Sequence, residues 1–219
     1  MTPASKYKIV ATHYIKQGSK LYLYQDGHLG STASSWKSVD EFLASFYQDS
    51  LAGLAIANGD NRDIICTANK HVPAMKAERV AFRAKYPRQC NSGNHSGEPS
   101  QIGEVIIVHV TDKAGVVLYS IAVTHGDALA DYDRWLKYRQ KAHGAGWFKR
   151  TFIVNAIETF EKLHDRKIKQ KLITAAQDMC DELKVSKIII GHFHHDELVQ
   201  LGQQCTLQLM GRGRRVMVA

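Results

Sequence analysis

Five short clusters of Asp, Asn and His side chains are spread along the chain, and their residue types are those that bind divalent cations. In chain order the clusters are Asp26-x-His28, Gly59-Asp60-x-x-Asp63, Gly93-Asn94-His95, Thr124-His125-Gly126 and Gly191-His192-x-His194. Carboxylate, amide and imidazole groups together form a borderline donor set that suits Mn, Fe, Zn or Co better than Ca. The residue types therefore favour chemistry that is assisted by metal ions.

The spacing within the clusters favours a shared site. Residues at i and i+2 beside a strand end emerge on the same side of the backbone, so Asp26 and His28 can reach one cluster together. Glycines next to the candidate ligands permit tight turns with positive φ. Taken singly, each cluster also has an ordinary explanation, because a lone His is often a hydrogen-bonded structural residue and a Gly-Asp pair is a common turn.

Predicted strands deliver these clusters at their carboxyl ends. Four runs are rich in β-branched and aromatic residues and lead directly into a polar cluster, namely Lys20–Tyr24, Leu51–Ala57, Val116–Val123 and Val185–Ile190. Ligands bind at that edge of the sheet in layered α/β proteins, because the loops converge there while the strands stay buried.

Two helices and a hairpin are predicted between these strands. Ser38-x-x-Glu41 has the form of a capping box that opens a helix, and residues 74–85 form a second helix that ends before a proline. A hairpin is predicted around the glycine-containing loop 112–115.

The longest stretch without a strand signal, residues 128–183, is helical in pattern and dense in Lys and Arg. No repeat or linker demands a second domain, so we expect a single domain over residues 1–219.

The five clusters, in this order, resemble the motif series of the calcineurin-like metallophosphoesterases, in which DxH, GDxxD, GNH(D/E), a lone His and GHxH follow successive strands. The matching motifs span Asp26 to His194, most of the chain. The resemblance implies a four-layer α/β sandwich, with two central β-sheets flanked by helices. It also implies that the stretch at about 128–183 is a helical cap inserted into this domain.

The resemblance further implies a centre of two divalent metal ions, with Mn expected and Fe, Zn, Co or Mg as alternatives. Seven ligands are implied, three for each ion and one bridge: Asp26, His28 and His194 for the first ion, Asn94, His125 and His192 for the second, and Asp60 as the bridge. A hydroxide shared by two ions roughly 3.5 to 4 Å apart would attack phosphorus in line. His95 would be the general acid, and Asp63 would orient it or a ligand. Ser96 stands where the family has an acidic residue.

The segment that begins at His125 resembles the corresponding stretch of one branch of the family, the UDP-2,3-diacylglucosamine pyrophosphatases. Residues 125–139 open with HGDALADYD and match that branch, which makes Asp133 a candidate for substrate binding. The branch carries Arg after its Gly-Asn pair, where this chain has His95. It also ends in a GDW-like strand, where this chain has the arginine-rich residues 211–215.

The net charge of +8 favours a partner that carries phosphate, whether nucleic acid, an anionic lipid headgroup or a nucleotide. Lys169 and Lys171 are candidates to hold a substrate phosphate, and a solvated charged face explains them equally well. The sequence thus predicts a metal-dependent phosphoesterase that cleaves a phosphodiester or pyrophosphate bond, with a nucleotide-linked lipid as the candidate substrate. The alternatives are a nuclease or other nucleotide phosphodiesterase of the same fold, and a non-catalytic scaffold.

The sequence has no pattern typical of a membrane span or a signal peptide. No apolar run approaches the roughly 18 residues of a membrane span, and the N-terminus MTPASKYKIV does not have the pattern of a signal peptide. We therefore expect a cytoplasmic location, with peripheral membrane contact as an option for a lipid substrate. The four cysteines are far apart and are expected to be reduced and mostly buried.

Overall fold

The computed structural model describes residues 7–29, 36–61, 71–93, 99–101, 103–126, 165–193 and 196–219, together with positions 129, 137, 140–141, 145–146, 148–149 and 152. In chain order the strands are β1 (Lys8–Lys16), β2 (Lys20–Gln25), β3 (Leu54–Asn58), β4 (Cys90–Asn91), β5 (Glu104–Thr111), β6 (Val117–Thr124), β7 (Lys187–Ile190), β8 (Glu197–Leu201), β9 (Cys205–Leu209) and β10 (Gly213–Val218). The helices are α1 (Val39–Ala52), α2 (Val72–Lys85) and α3 (Asp165–Leu183), and a short 3₁₀ helix spans Pro99–Gln101.

The strands form two sheets, so the predicted α/β class is confirmed. The larger sheet has the order β1-β5-β6-β7-β9-β8, and the smaller sheet has the order β10-β2-β3-β4. Strands β2, β3 and β4 run parallel to one another, and β6 runs parallel to β7. Their carboxyl ends therefore reach the same edge within each sheet.

Three apolar cores separate four layers. The first lies between the two sheets and includes Leu21, Leu23 and Ile56 of the smaller sheet. The second packs α3 against the other face of the larger sheet. In the third, Tyr22 and Tyr24 lie on the other face of β2, and Tyr24 packs against Phe42 and Phe46 of α1. Successive side chains of β2 point to opposite faces, and a core covers each face, so both faces of this strand are apolar. The layered arrangement confirms the predicted sandwich.

Local signals fix the ends of α1. The Ser38 hydroxyl accepts a hydrogen bond from the Glu41 N–H at 3.1 Å, and the Glu41 carboxylate accepts one from the Lys37 N–H at 2.8 Å. The helix ends at Ala52 and is capped by Gly53, whose N–H donates to the Asp49 carbonyl. The predicted cap is confirmed. The predicted start of the next strand at Leu51 is wrong, because Leu51 and Ala52 complete the last turn of α1.

The predicted hairpin between β5 and β6 is also confirmed. The Asp112 N–H donates to the Val116 carbonyl, and the Gly115 N–H donates to the Asp112 carbonyl. The second predicted helix is α2, which begins at Val72 and ends before Pro87. Of the predicted helical stretch 128–183, the structure describes α3 and a few isolated positions, so the cap and the single-domain organisation stay predictions.

Two cysteines depart from the expected reduced state, because a disulfide joins Cys180 of α3 to Cys205 of β9. The expectation is wrong for this pair. Cys90 is a free, buried thiol whose pKa is raised to about 12 by burial, and Cys66 lies outside the described residues. Among the described helices, none combines the length and the apolar character that crossing a bilayer requires.

Candidate metal site

The candidate ligands lie at the edge where strands of both sheets end. Asp26 follows β2 directly, and Asp60 lies two residues beyond β3 in the smaller sheet. His125 follows β6 directly, and His192 lies two residues beyond β7 in the larger sheet. The site therefore forms where the carboxyl ends of the two sheets meet, as the strand pattern predicts.

Three of these side chains converge into one group. Asp26, Asp60 and His125 each offer a ligand atom, and these atoms all lie within 4.8 Å of one another. The Nε2 atom of His125 is 3.0 Å from Oδ2 of Asp60, and its Nδ1 atom is 3.7 Å from Oδ1 of Asp26. All three residues are buried, with at most 1% of their surface exposed.

The chemistry of this group fits a divalent cation. Two carboxylates that are buried side by side are unfavourable unless positive charge and hydrogen bonds compensate them. Two carboxylate oxygens and an imidazole nitrogen are donors that Mn, Fe, Zn and Co accept. Asp26, Asp60 and His125 are thus residues that would hold such an ion.

Hydrogen bonds connect the loops that carry the carboxylates. The His192 N–H donates to Oδ2 of Asp26 at 2.9 Å, which connects the loop after β7 to the loop after β2. The His28 N–H donates to the Asp60 carbonyl at 2.7 Å, which connects the loops after β2 and β3. The His192 ring meets the His125 ring edge to face at 5.1 Å. The loops thus hold one another in place around the group.

Left-handed backbone conformations are concentrated at the site. Five non-glycine residues of the described part of the chain have positive φ, and four of them are candidate ligands: Asp26 (φ 47°), His28 (46°), Asp60 (26°) and His192 (62°). Such conformations are rare for residues with a side chain, and they persist where the surrounding structure enforces them, often at functional sites.

Two glycines leave room for the carboxylates. A Cβ atom on Gly93 would overlap the carboxylate of Asp60, and one on Gly191 would overlap the carboxylate of Asp26. Neither position requires positive φ, so close approach is the reason that glycine is needed there.

The structure brings together only part of the predicted residue set. His28 and His192 lie beside the three-residue group without belonging to it. Lys169 forms an ion pair with Glu197, and Lys171 is exposed on α3. Five further predicted residues lie outside the described part of the chain: Asp63, Asn94, His95, His194 and Asp133. The assigned roles of all these residues stay predictions.

Sequence analysis overlooked three buried amides that border the group. Gln25 and Asn58 are the last residues of β2 and β3, and Asn91 is the last residue of β4. Asn58 hydrogen-bonds to both of the other amides. The sequence offered only a weak signal, an amide residue one or two positions before each of three motifs.

Comparisons with known proteins found a similar solved structure but did not assign the chain to a family. No family model and no curated protein matches the chain. The fold is similar to the solved structure of Vacuolar Protein Sorting 29 from Cryptosporidium parvum, with a TM-score of 0.40 and 12% sequence identity. This likeness covers 90% of the present chain and 75% of the other one.

Proposed function

We propose that this protein is a metal-dependent phosphoesterase that hydrolyses a phosphodiester or pyrophosphate bond at a centre of two divalent cations. One observation carries the proposal, namely that Asp26, Asp60 and His125 converge from three strand ends of two sheets into one buried group. The reaction class comes from the order of the motifs, which resembles that of the calcineurin-like metallophosphoesterases.

The described residues have definite tasks in this proposal. Divalent cations, when bound, supply a Lewis acid for the phosphoryl group and an acidic water as the nucleophile. Asp26, Asp60 and His125 hold the cations, and the His192 N–H fixes the rotamer of the Asp26 carboxylate. Their burial keeps bulk water away from the charged group, which strengthens every electrostatic interaction there.

The remaining assignments rest on the resemblance alone. His28, Asn94, His192 and His194 complete the ligand set in this proposal. His95 donates a proton to the leaving oxygen, and Asp63 orients it. Asp133, Lys169 and Lys171 contact the substrate, which requires Lys169 to leave or share its ion pair with Glu197.

Within this class we propose a nucleotide-linked lipid pyrophosphate as the substrate, on the resemblance of residues 125–139 to one branch. The net charge of +8 favours a nucleic acid instead. The ion pairs Lys169–Glu197, Arg214–Asp49 and Arg215–Asp196 leave that net charge unchanged, because it already counts the acidic residues. Nucleic acid therefore stays the alternative substrate.

Metal content and hydrolysis of bis(p-nitrophenyl) phosphate test the reaction class. We expect chelation to remove activity and Mn²⁺ to restore it. Asp60→Asn should retain little metal and lose about 10³-fold or more in kcat/KM, because the cations supply several kcal/mol of transition-state stabilisation. Asp181→Asn, at an exposed position of α3, is the matched control and should behave as wild type.

Two results contradict the proposal in different ways. Full activity of the metal-free wild type would exclude a metal-dependent mechanism. A folded wild type that binds no Mn²⁺ and cleaves no monoester, diester or pyrophosphate would favour the non-catalytic scaffold.

A substrate panel separates the two candidate substrates. We expect faster cleavage of an acylated nucleotide pyrophosphate than of the same compound without acyl chains. Inhibition by DNA that weakens steeply with salt would instead favour the nucleic-acid alternative, because phosphate contacts release counterions.

A further inference from the structure

Three buried amide side chains form a continuous hydrogen-bonded row across the smaller sheet, which we name the amide ladder (Gln25, Asn58 and Asn91). In the sheet register, Gln25 pairs with Asn58, and Asn58 pairs with Asn91. The Asn58 amide nitrogen donates to Oε1 of Gln25 at 3.0 Å, and the Asn91 amide nitrogen donates to Oδ1 of Asn58 at 2.7 Å. All three residues are buried.

The ladder also joins the two sheets. The Asn58 amide nitrogen donates to the carbonyl of Thr124 at 2.9 Å, and that of Asn91 donates to the carbonyl of Val123 at 3.1 Å. Both acceptors belong to the last two residues of β6, in the larger sheet. The amide nitrogens of Asn58 and Asn91 therefore each donate one bond along the smaller sheet and one bond across to the larger sheet.

The ladder occupies positions that are otherwise apolar. Leu21 and Leu23 precede Gln25 on the same face of β2, and Ile56 precedes Asn58 on the same face of β3. These apolar residues belong to the core between the sheets. The side chains facing the other sheet thus change from apolar to amide only at the last step, immediately before the candidate ligands.

That last step is where the candidate ligands are attached. Gln25 directly precedes Asp26, Asn58 lies two residues before Asp60, and Thr124 directly precedes His125. Hydrogen bonds among Gln25, Asn58 and Thr124 therefore fix the relative positions of the three backbone segments that carry the metal group. Amides do this without adding charge beside two buried carboxylates, and adjacent hydrogen bonds reinforce one another.

We infer that Gln25, Asn58 and Asn91 are positioning residues that set the geometry of the Asp26, Asp60 and His125 group across the junction of the sheets. The inference rests on the proposed function, because it gives the ladder a role in binding that group's cation. A positioning role and a purely structural role predict different effects of substitution on metal binding. The preceding positions of the same interface are apolar, Leu23 on β2 and Ile56 on β3. An apolar substitute for an amide should therefore preserve the fold while it impairs metal binding.

Calorimetric titration of the full chain with Mn²⁺ alone tests this role. Asn58→Leu keeps the branched shape and Gln25→Met the unbranched length of the original side chain, and both remove its hydrogen bonds. We expect each variant to bind Mn²⁺ about 10- to 100-fold more weakly than wild type, the usual effect of losing the residues that support metal ligands. The Mn²⁺ spectrum in electron paramagnetic resonance should change with the affinity, since the ligand geometry changes.

Ile56→Val is the matched control, because Ile56 lies on the same face of β3 one step before Asn58. It removes core packing without touching the ladder, and it should leave Mn²⁺ affinity within about twofold of wild type. Urea unfolding of all variants separates loss of fold from loss of binding. If Asn58→Leu does not fold, Gln25→Met decides, because it removes only the terminal acceptor of the row.

The outcomes distinguish this inference from the proposed function. Folded ladder variants that bind Mn²⁺ as tightly as wild type would overturn the positioning role alone. A wild type that binds no Mn²⁺ would overturn the proposed function, and the positioning role with it. Weakened binding in Ile56→Val equal to that in Asn58→Leu would assign the effect to general loosening of the sheet interface and would also overturn the inference.

Discussion

Four residues at the site have left-handed backbone conformations, each of which costs of order 1–3 kcal/mol: Asp26, His28, Asp60 and His192. Contacts between loops offset this cost, since the His28 N–H bonds to the Asp60 carbonyl and the His192 N–H bonds to Asp26. Strain and support thus occur at the same residues. A loop shaped only to connect strands would not need this combination.

Replacing Gly93 with alanine should disturb Asp60 through contact alone. The added Cβ would overlap the Asp60 carboxylate and backbone nitrogen, and a buried carboxylate has little room to move. We expect kcat/KM and Mn²⁺ affinity to fall by about 10-fold or more, as for other losses of ligand support. Hydrolysis of bis(p-nitrophenyl) phosphate and Mn²⁺ calorimetry are the measurements.

Gly146→Ala is the control for this substitution. Among the residues that the structure describes, a Cβ atom on Gly146 would meet no atom within 4 Å, so this variant should match wild type in both measurements. Unchanged metal affinity in Gly93→Ala would contradict the proposed close packing of the Gly93 loop on Asp60.

Residue types and strand ends predicted a shared polar site at the edge of the sheets, and the resemblance assigned Asp26, Asp60 and His125 to it, which the structure brings together. The sequence did not reveal the amide ladder, because a buried Asn or Gln has no pattern until the register of the strands is known. Gln25, Asn58 and Asn91 are far apart in sequence and become neighbours only through the pairing of β2 with β3 and of β3 with β4.

At the scale of elements, strands that form continuous apolar runs were predictable, whereas the edge strands β1 and β10 and the inner strand β9 were overlooked. Strands β2, β3, β6 and β7 are continuous apolar runs, because residues on both of their faces are buried. Strand β1 was overlooked because it lies at the edge of the larger sheet and alternates exposed and half-buried residues. Strand β10 was overlooked because its arginines resemble a charged tail, although it pairs with β2 along its whole length.

A charged network attaches α1 to the smaller sheet. The Asp49 carboxylate of α1 accepts hydrogen bonds from Arg214 of β10, at 2.5 and 2.8 Å, and from the Tyr24 hydroxyl of β2. Burial alone would raise the pKa of Asp49, but the hydrogen bonds from Arg214 and Tyr24 outweigh it and lower the pKa below its usual value. The ionised form of Asp49 is therefore the one that stabilises the fold.

Asp49→Asn should lower the free energy of unfolding by about 1–3 kcal/mol at neutral pH, because hydrogen bonds to a charged group are lost. Since the folded-state pKa of Asp49 is lowered, its contribution is complete above the ordinary carboxyl pKa of 3.8 and is lost as the pH falls below that value. The difference between variant and wild type should therefore be constant from pH 7 to 5 and shrink in more acidic buffer.

Urea unfolding at several pH values measures this dependence. Asp181→Asn, which alters an exposed carboxylate of α3, should unfold as wild type does throughout. A stability difference for Asp49→Asn that stays constant down to pH 3 would contradict the assigned network.

At the scale of the whole molecule, the site depends on how the two sheets are docked. Asp26 and Asp60 belong to the smaller sheet and His125 to the larger one, and the apolar core between the sheets holds them together. The resemblance implied two stacked sheets with the ligands at one edge, but the sequence did not reveal which residues join them, because the contacts between the sheets link residues far apart along the chain. A cation bound by all three side chains would therefore crosslink the sheets.

Metal binding should consequently stabilise the entire fold. A ligand that binds only the folded state at 100 times its Kd adds about 2.7 kcal/mol to the free energy of unfolding, which corresponds to a rise in Tm of about 5 to 10 °C for a domain of this size. We expect Mn²⁺ to raise the Tm of the chelator-treated wild type by this amount. Asp60→Asn should show no comparable rise, because the group that spans the sheets is incomplete. An equal rise in both proteins would place the stabilising Mn²⁺ elsewhere and would contradict a cation shared between the two sheets.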